Sequence, residues 1–198
     1  MEIHGFSIVF YGHDVFPFGL WTDVTLVFTS LIWLRFYLKS QRSGSKMSMC
    51  FWGYVWLMHL PNSVYLFMEF RHILLQDGVA DAREPMAVAV FGILSLMGLI
   101  MSVIQIYLTV TKVHILRNKQ ALSTIVLSFM ATWGGVLGIH DLVSILGIVF
   151  PPLIIMVTIK ALTLEWIIVT LIIGTLISSL SLLTLKLLQV NRNPQDES

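Results

Sequence analysis

The run His59-Leu60-Pro61-Asn62-Ser63-Val64-Tyr65-Leu66-Phe67-Met68-Glu69-Phe70-Arg71-His72 holds the densest set of chemically useful side chains in the sequence. Asn62, Tyr65, Glu69 and His72 recur at intervals of three, four and three, which on a helix makes one polar face. Glu69-x-x-His72 offers a carboxylate and an imidazole from adjacent turns, suited to acid-base work or to ligating a divalent metal. Di-metal helical bundles repeat that pair on a second helix. Here it occurs once, so His140-Asp141 is the pair that would have to complete it. The candidate polar site is therefore Asn62, Tyr65, Glu69, His72, His140 and Asp141, with Glu69, His72, His140 and Asp141 as its weak metal candidates. Asp23 and Glu165 fall on the same side of the bundle and could extend the cluster into a vestibule.

Each of these residues also has a plainer account. Asn62 can bond to a neighbouring helix, Tyr65 can mark the passage from interior to interface, and His140 and Asp141 can satisfy one another. Asp23 and Glu165 read as boundary residues. No phosphate-binding glycine loop, Gly-x-Ser-x-Gly elbow or His-Glu-x-x-His pattern is present, so no strong motif requires a cofactor and a divalent metal is the alternative.

The elements that must position these groups follow from composition. Hydrophobic residues make up 57% of the 198 and charged residues 12%, where soluble domains carry about 25% charge. That leaves too few charges for a water-facing surface, and lipid becomes the expected solvent. A span needs about 20 mostly apolar residues to cross a core about 30 Å thick. Five stretches qualify: 18–38, 50–68, 86–111, 121–150 and 164–188. The expected fold is all-α, a single integral membrane domain with five transmembrane helices. Three arrangements fit 142–159: the end of one long span, a re-entrant segment shielded from lipid, or an additional span. Pro61 is expected to open the second helix near its middle.

Arg35, Lys39, Arg42 and Lys46 follow the first span, Lys112, Arg117 and Lys119 the third, and Lys186 and Arg192 the fifth. The positive-inside rule then puts these on the cytoplasmic side of a cell membrane, with the N-terminus outside and the C-terminus inside. Residues 40–48 are expected to form an inner loop and 71–85 an outer one. The first residues lack Lys and Arg, so the first span is expected to serve as an uncleaved insertion signal. Cys50, the single cysteine, excludes an intrachain disulfide and is expected to be a buried thiol.

Small residues mark the faces where helices meet. Gly134, Gly135 and Gly138 on the fourth span, and Gly92, Ser95, Gly98, Ser102 and Gln105 on the third, allow close approach and interhelical hydrogen bonds. The basic residues form no stripe with an aromatic platform, which removes nucleic acid as a partner. Membrane lipids, a protein partner or self-association remain.

The stretch Pro61-Asn62-x-x-Tyr65, followed by an apolar pair, Glu69 and His72, resembles the uncharacterised bacterial membrane-protein family called domain of unknown function 1361. Glu69 stands where that family usually has Asp, and Ile139 where it has Arg. The resemblance implies a multi-pass helical architecture over spans one to four and assigns no reaction. The expected function is a non-enzymatic membrane component with an outward polar pocket for an ion, a lipid headgroup or a protein partner. A small intramembrane acid-base or metal-assisted enzyme and an oligomeric transporter are the alternatives.

Overall fold

The computed structural model describes residues 2–4, 7–10, 13–16, 20–69, 85–139, 158–159 and 162–190. The body is helical. It comprises α1 (Leu20–Ser43), α2 (Lys46–His59), α3 (Pro61–Met68), α4 (Pro85–Lys112), the short α5 (His114–Arg117), α6 (Gln120–Ile139) and α7 (Leu164–Val190). A three-stranded antiparallel meander precedes it, β1 (Glu2–His4), β2 (Ser7–Phe10) and β3 (His13–Phe16), with a register irregularity between Ile8 and Val9. These strands lie outside the all-α expectation, and β3 contacts α1.

Three helices among the described residues are long and apolar enough to cross a membrane: Val88–Lys112, Gln120–Gly138 and Leu164–Gln189. They match the third and fifth expected spans closely and the first two-thirds of the fourth. The other two expected spans differ for identifiable reasons. At 24 residues α1 is long enough, but it carries Asp23, Arg35, Lys39 and Arg42. The second span is divided at Leu60-Pro61 into α2 and α3, each too short to cross alone. Pro61 has no N–H for the carbonyl four residues back, which ends the helical ladder. Leu60 nevertheless keeps helical angles, φ −55° and ψ −40°, and its N–H reaches the Trp56 carbonyl at 3.0 Å. The backbone from Lys46 to Met68 therefore continues as one rod with a missing rung, roughly 34 Å long at 1.5 Å per residue.

The expected inner loop is shorter than 40–48. Helix α1 runs on to Ser43, Gly44 adopts a left-handed φ of 71°, and α2 starts at Lys46. A positive φ is the conformation glycine takes without a Cβ clash, and it reverses the chain in two residues. Ser40 and Ser48 then hydrogen-bond across the hairpin at 2.6 Å. Stacked rings join the same two helices, with Phe36 and Trp52 centroids 4.8 Å apart and Trp33 and Trp52 5.5 Å apart. Cys50 is exposed on α2 rather than buried. The aromatic contacts of α2 with α1 run through Trp52 and Trp56.

Small polar side chains share the bundle interior with apolar ones, and large apolar side chains cover its exterior. On α4 the buried side chains include Ser95, Ser102, Gln105 and Thr109, while Ile93, Leu96, Ile100 and Ile104 are exposed. On α6 the buried set includes Thr124, Ser128 and Thr132, and the exposed set Leu122, Ile125, Val126 and Met130. Water would reward the opposite arrangement, whereas lipid leaves packing and internal hydrogen bonds to hold helices together. The Thr124, Ser128 and Thr132 hydroxyls each donate to the carbonyl four residues back, at 2.8 Å, so they lie inside without an unmet donor.

Helix α3 packs between α4 and α6 and also touches α1; α7 lies on α6 and α4. Glycines set the approach. A Cβ built on Gly98 would overlap the Phe67 amide and stand 2.7 Å from the Ser63 carbonyl oxygen. One on Gly134 would stand 2.7 Å from Cβ of Pro61. By contrast, Gly92, expected to share this packing stripe, has open space where its Cβ would be. Gln105 adds a polar link, its Nε2 donating to Ser30 Oγ and to the Val27 carbonyl of α1. Interhelical hydrogen bonds of this kind contribute about 0.6 kcal/mol on average, while overpacking costs about 1–3 kcal/mol. Close packing at Gly98 thus outweighs the glutamine bridge.

Gly98→Ala should destabilise the detergent-solubilised protein by about 1–3 kcal/mol, because the obstructing atoms are backbone and cannot rotate away. Gly92→Ala should leave the unfolding midpoint of tryptophan fluorescence unchanged. Equal midpoints for the two variants would contradict the α3–α4 contact.

Candidate functional site

Asn62, Tyr65 and Glu69 come from one helix face, as their spacing requires, with Pro61 at the first helical position of α3. Glu69 caps the helix: its φ and ψ are −57° and −17°, and its N–H reaches the Leu66 carbonyl at 3.3 Å. Its side chain is buried, at 4% exposure. Asp23, in the first turn of α1, lies close enough for its carboxylate to interact electrostatically with that of Glu69. The parallel course of α3 and α6 sets Tyr65 on the glycine face. Gly134 meets Pro61, and four residues on, Gly138 meets the Tyr65 ring, where an added Cβ would lie 3.1 Å from Cδ2.

The level of this cluster follows from α4. Gly98 touches the α3 backbone at Ser63 to Phe67, and α4 continues outward from there to Pro85, roughly 20 Å further at 1.5 Å per residue. Glu69, less than one turn past Phe67, is therefore flanked by helix rather than sitting at the tip of the bundle. Ser95 lies one turn outward from Gly98 on the same face of α4. It is buried at 3% exposure, and its hydroxyl makes no hydrogen bond among the described residues.

Of the six site residues expected from sequence, the structure brings together Asn62, Tyr65 and Glu69. His72, His140 and Asp141 lie outside the described residues, as do the outer loop before Pro85, the segment beyond Ile139 and the tail after Val190. Asn62 is half-buried and makes no side-chain hydrogen bond among the described residues. Glu165 is exposed in the first turn of α7, as a boundary residue should be. Among the described residues no group of three or more His, Cys, Asp or Glu side chains converges, and Glu69 is the one metal candidate whose position is given. Sequence reasoning assigned Ser95 to packing and did not connect it with the acids. Its position one helical turn from Gly98 was the available signal.

Two carboxylates within electrostatic reach repel each other when both are charged, and Glu69 also interacts with a group besides Asp23. Carboxylate oxygens bind hard cations. Comparison with protein-family models, with curated proteins and with solved structures finds no match to this chain.

Asp23→Asn and Glu69→Gln should be non-additive in unfolding free energy, with a coupling of about 0.5–3 kcal/mol, since each change relieves the repulsion felt by the other. A double-mutant cycle in detergent measures it, and strict additivity would separate the two groups.

Proposed function

We propose that this chain is a multi-pass cell-membrane protein whose outward half binds a cation at Asp23 and Glu69, without catalysis. The observation that carries the reading is the burial of Glu69 within electrostatic reach of a second carboxylate. A lipid headgroup phosphate would be repelled there, and a protein partner would not reach a side chain flanked by α4. An ion is the occupant that such chemistry favours. Membership of the 1361 family is part of the same proposal and rests on the Pro61-to-His72 motif.

The architecture proposed is five crossings: α1, the α2–α3 rod, α4, α6 and α7. Support comes from the direction of the helices. Arg35, Lys39 and Arg42 of α1 line one groove with Lys112 at the end of α4. Gln189 near the end of α7 bonds to Gln120 at the start of α6 at 2.9 Å. Basic residues following alternate crossings thereby gather at one end, which the positive-inside rule assigns to the cytoplasm, leaving the N-terminus and the Asp23–Glu69 pair on the outer side.

Two measurements test this. Monovalent or divalent cations added to the purified protein in chelator-treated buffer should raise its unfolding temperature, and Asp23→Asn combined with Glu69→Gln should abolish the rise; no cation-dependent shift in the wild type would overturn the site. In a Cys50→Ser background, a cysteine at Ser45 should resist an impermeant thiol reagent in intact cells and one at Asp77 should react. The reverse pattern would overturn the orientation.

A further inference from the structure

At the other end of α1 the side chains form a second, different surface. Phe28, Ile32, Arg35, Lys39 and Arg42 recur at intervals of four, three, four and three, one unbroken stripe along the helix. Its character changes along the axis, with two apolar residues toward the middle of the bundle and three cations toward the end. Helix α4 repeats the order beside it with Leu108 and then Lys112. Together they line a half-open groove of about 770 Å³, within the range of roughly 300–1,000 Å³ typical of small-ligand sites. Its walls are apolar, and four cations surround one end.

No carboxylate among the described residues neutralises that end. None of the four cations meets a carboxylate among the described residues, and Asp23, the acid on the same helix, is roughly 18 Å from Arg35 along the axis. Phe28 and Ile32 are 48% and 47% exposed, so the apolar half of the groove faces outward rather than into the core. A ligand complementary to the whole surface carries a negative headgroup joined to hydrocarbon, lying parallel to the helices with the charge at the basic end.

We propose that the α1–α4 groove binds one phospholipid with an acidic headgroup, its phosphate among Arg35, Lys39, Arg42 and Lys112 and its acyl chains along Phe28, Ile32 and Leu108. This rests on α1 crossing the membrane beside α4 and is independent of the carboxylate pair at the opposite end. Free phosphate shares the headgroup's charge but has no use for the apolar wall, which is why the lipid is the occupant.

Native mass spectrometry of the full chain released from nanodiscs of mixed phosphatidylcholine and phosphatidylglycerol tests the site. The wild type should retain one phosphatidylglycerol in preference to phosphatidylcholine. Arg35→Gln with Lys112→Gln should weaken retention by roughly fivefold per charge removed. Arg117→Gln with Lys119→Gln, at the same end but outside the groove, should not change it. Ile32→Trp, which fills the apolar wall and leaves every cation in place, should also displace the lipid. Unaltered retention in both groove variants, or an equal loss in the Arg117 and Lys119 control, would overturn the proposal. So would thermal stabilisation by inorganic phosphate equal to that by the lipid. The thiol-labelling pattern reads the crossings separately, so failure of lipid retention with correct labelling would reject the groove and not the span arrangement.

Discussion

The bundle depends on how closely the short α3 helix can sit between α4 and α6. Lipid gives apolar helices little reason to associate, so association has to come from contact quality and internal hydrogen bonding. Gly98 lets the α4 backbone meet the backbone of Ser63 to Phe67, and Gly134 receives the ring of Pro61. Both contacts fall on or next to the proline that interrupts the second span. The residue that weakens the helical ladder is thus also the one that fits the glycine face. With α3 fixed in this way, Tyr65 rests on Gly138 and Glu69 is carried into the bundle. The buried acid is a consequence of the glycine packing.

Much of this was legible because a lipid-facing helix must satisfy its backbone internally, and the resulting apolar lengths are visible in one dimension. Helices α4 and α7 match their expected spans within two residues at every end. The three-four rhythm of Ser95, Gly98, Ser102 and Gln105 marked the buried face of α4, and all four are buried. Gly92 lies on the same rhythm yet faces open space. A small residue permits contact without requiring it, so spacing alone cannot say which member of a stripe meets a neighbour. The division of the second span at Pro61 was readable, but the persistence of helical angles through Leu60 was not, because it depends on what supports the rod from outside. The N-terminal strands illustrate another limit: Gly5 and Gly12 fall between short mixed segments, a turn signal that the dominant membrane pattern obscured.

The site was legible to the extent that it lies on one helix. Asn62, Tyr65 and Glu69 share a face by periodicity, and the structure keeps them there. Which acid would approach Glu69 was a tertiary question. Sequence placed Asp23, Asp141 and Glu165 on the same side without ranking them, since the membrane level of a residue says nothing of its azimuth around the bundle. Among the described residues the α1–α3 contact brings Asp23 within electrostatic reach of Glu69, Glu165 stays exposed on α7, and Asp141 lies outside the described residues.

Helix α1 joins the two charged regions of the molecule. Its first turn carries an acid within electrostatic reach of another, its last turns carry three cations beside a fourth, and roughly 18 Å of apolar helix separates Asp23 from Arg35. That separation is far beyond the reach of a direct ion pair, and a rigid helix gives neither end a cheap way to bend toward the other. Mutual neutralisation along α1 is therefore closed off by geometry. In the proposed five-crossing arrangement the two ends lie on opposite sides of the membrane, acidic on one and basic on the other. In that arrangement two opposite demands would hold α1 at a fixed depth, because sliding toward either side would draw one charged end into hydrocarbon. The same charges that make α1 the least apolar of the long helices would then fix its height.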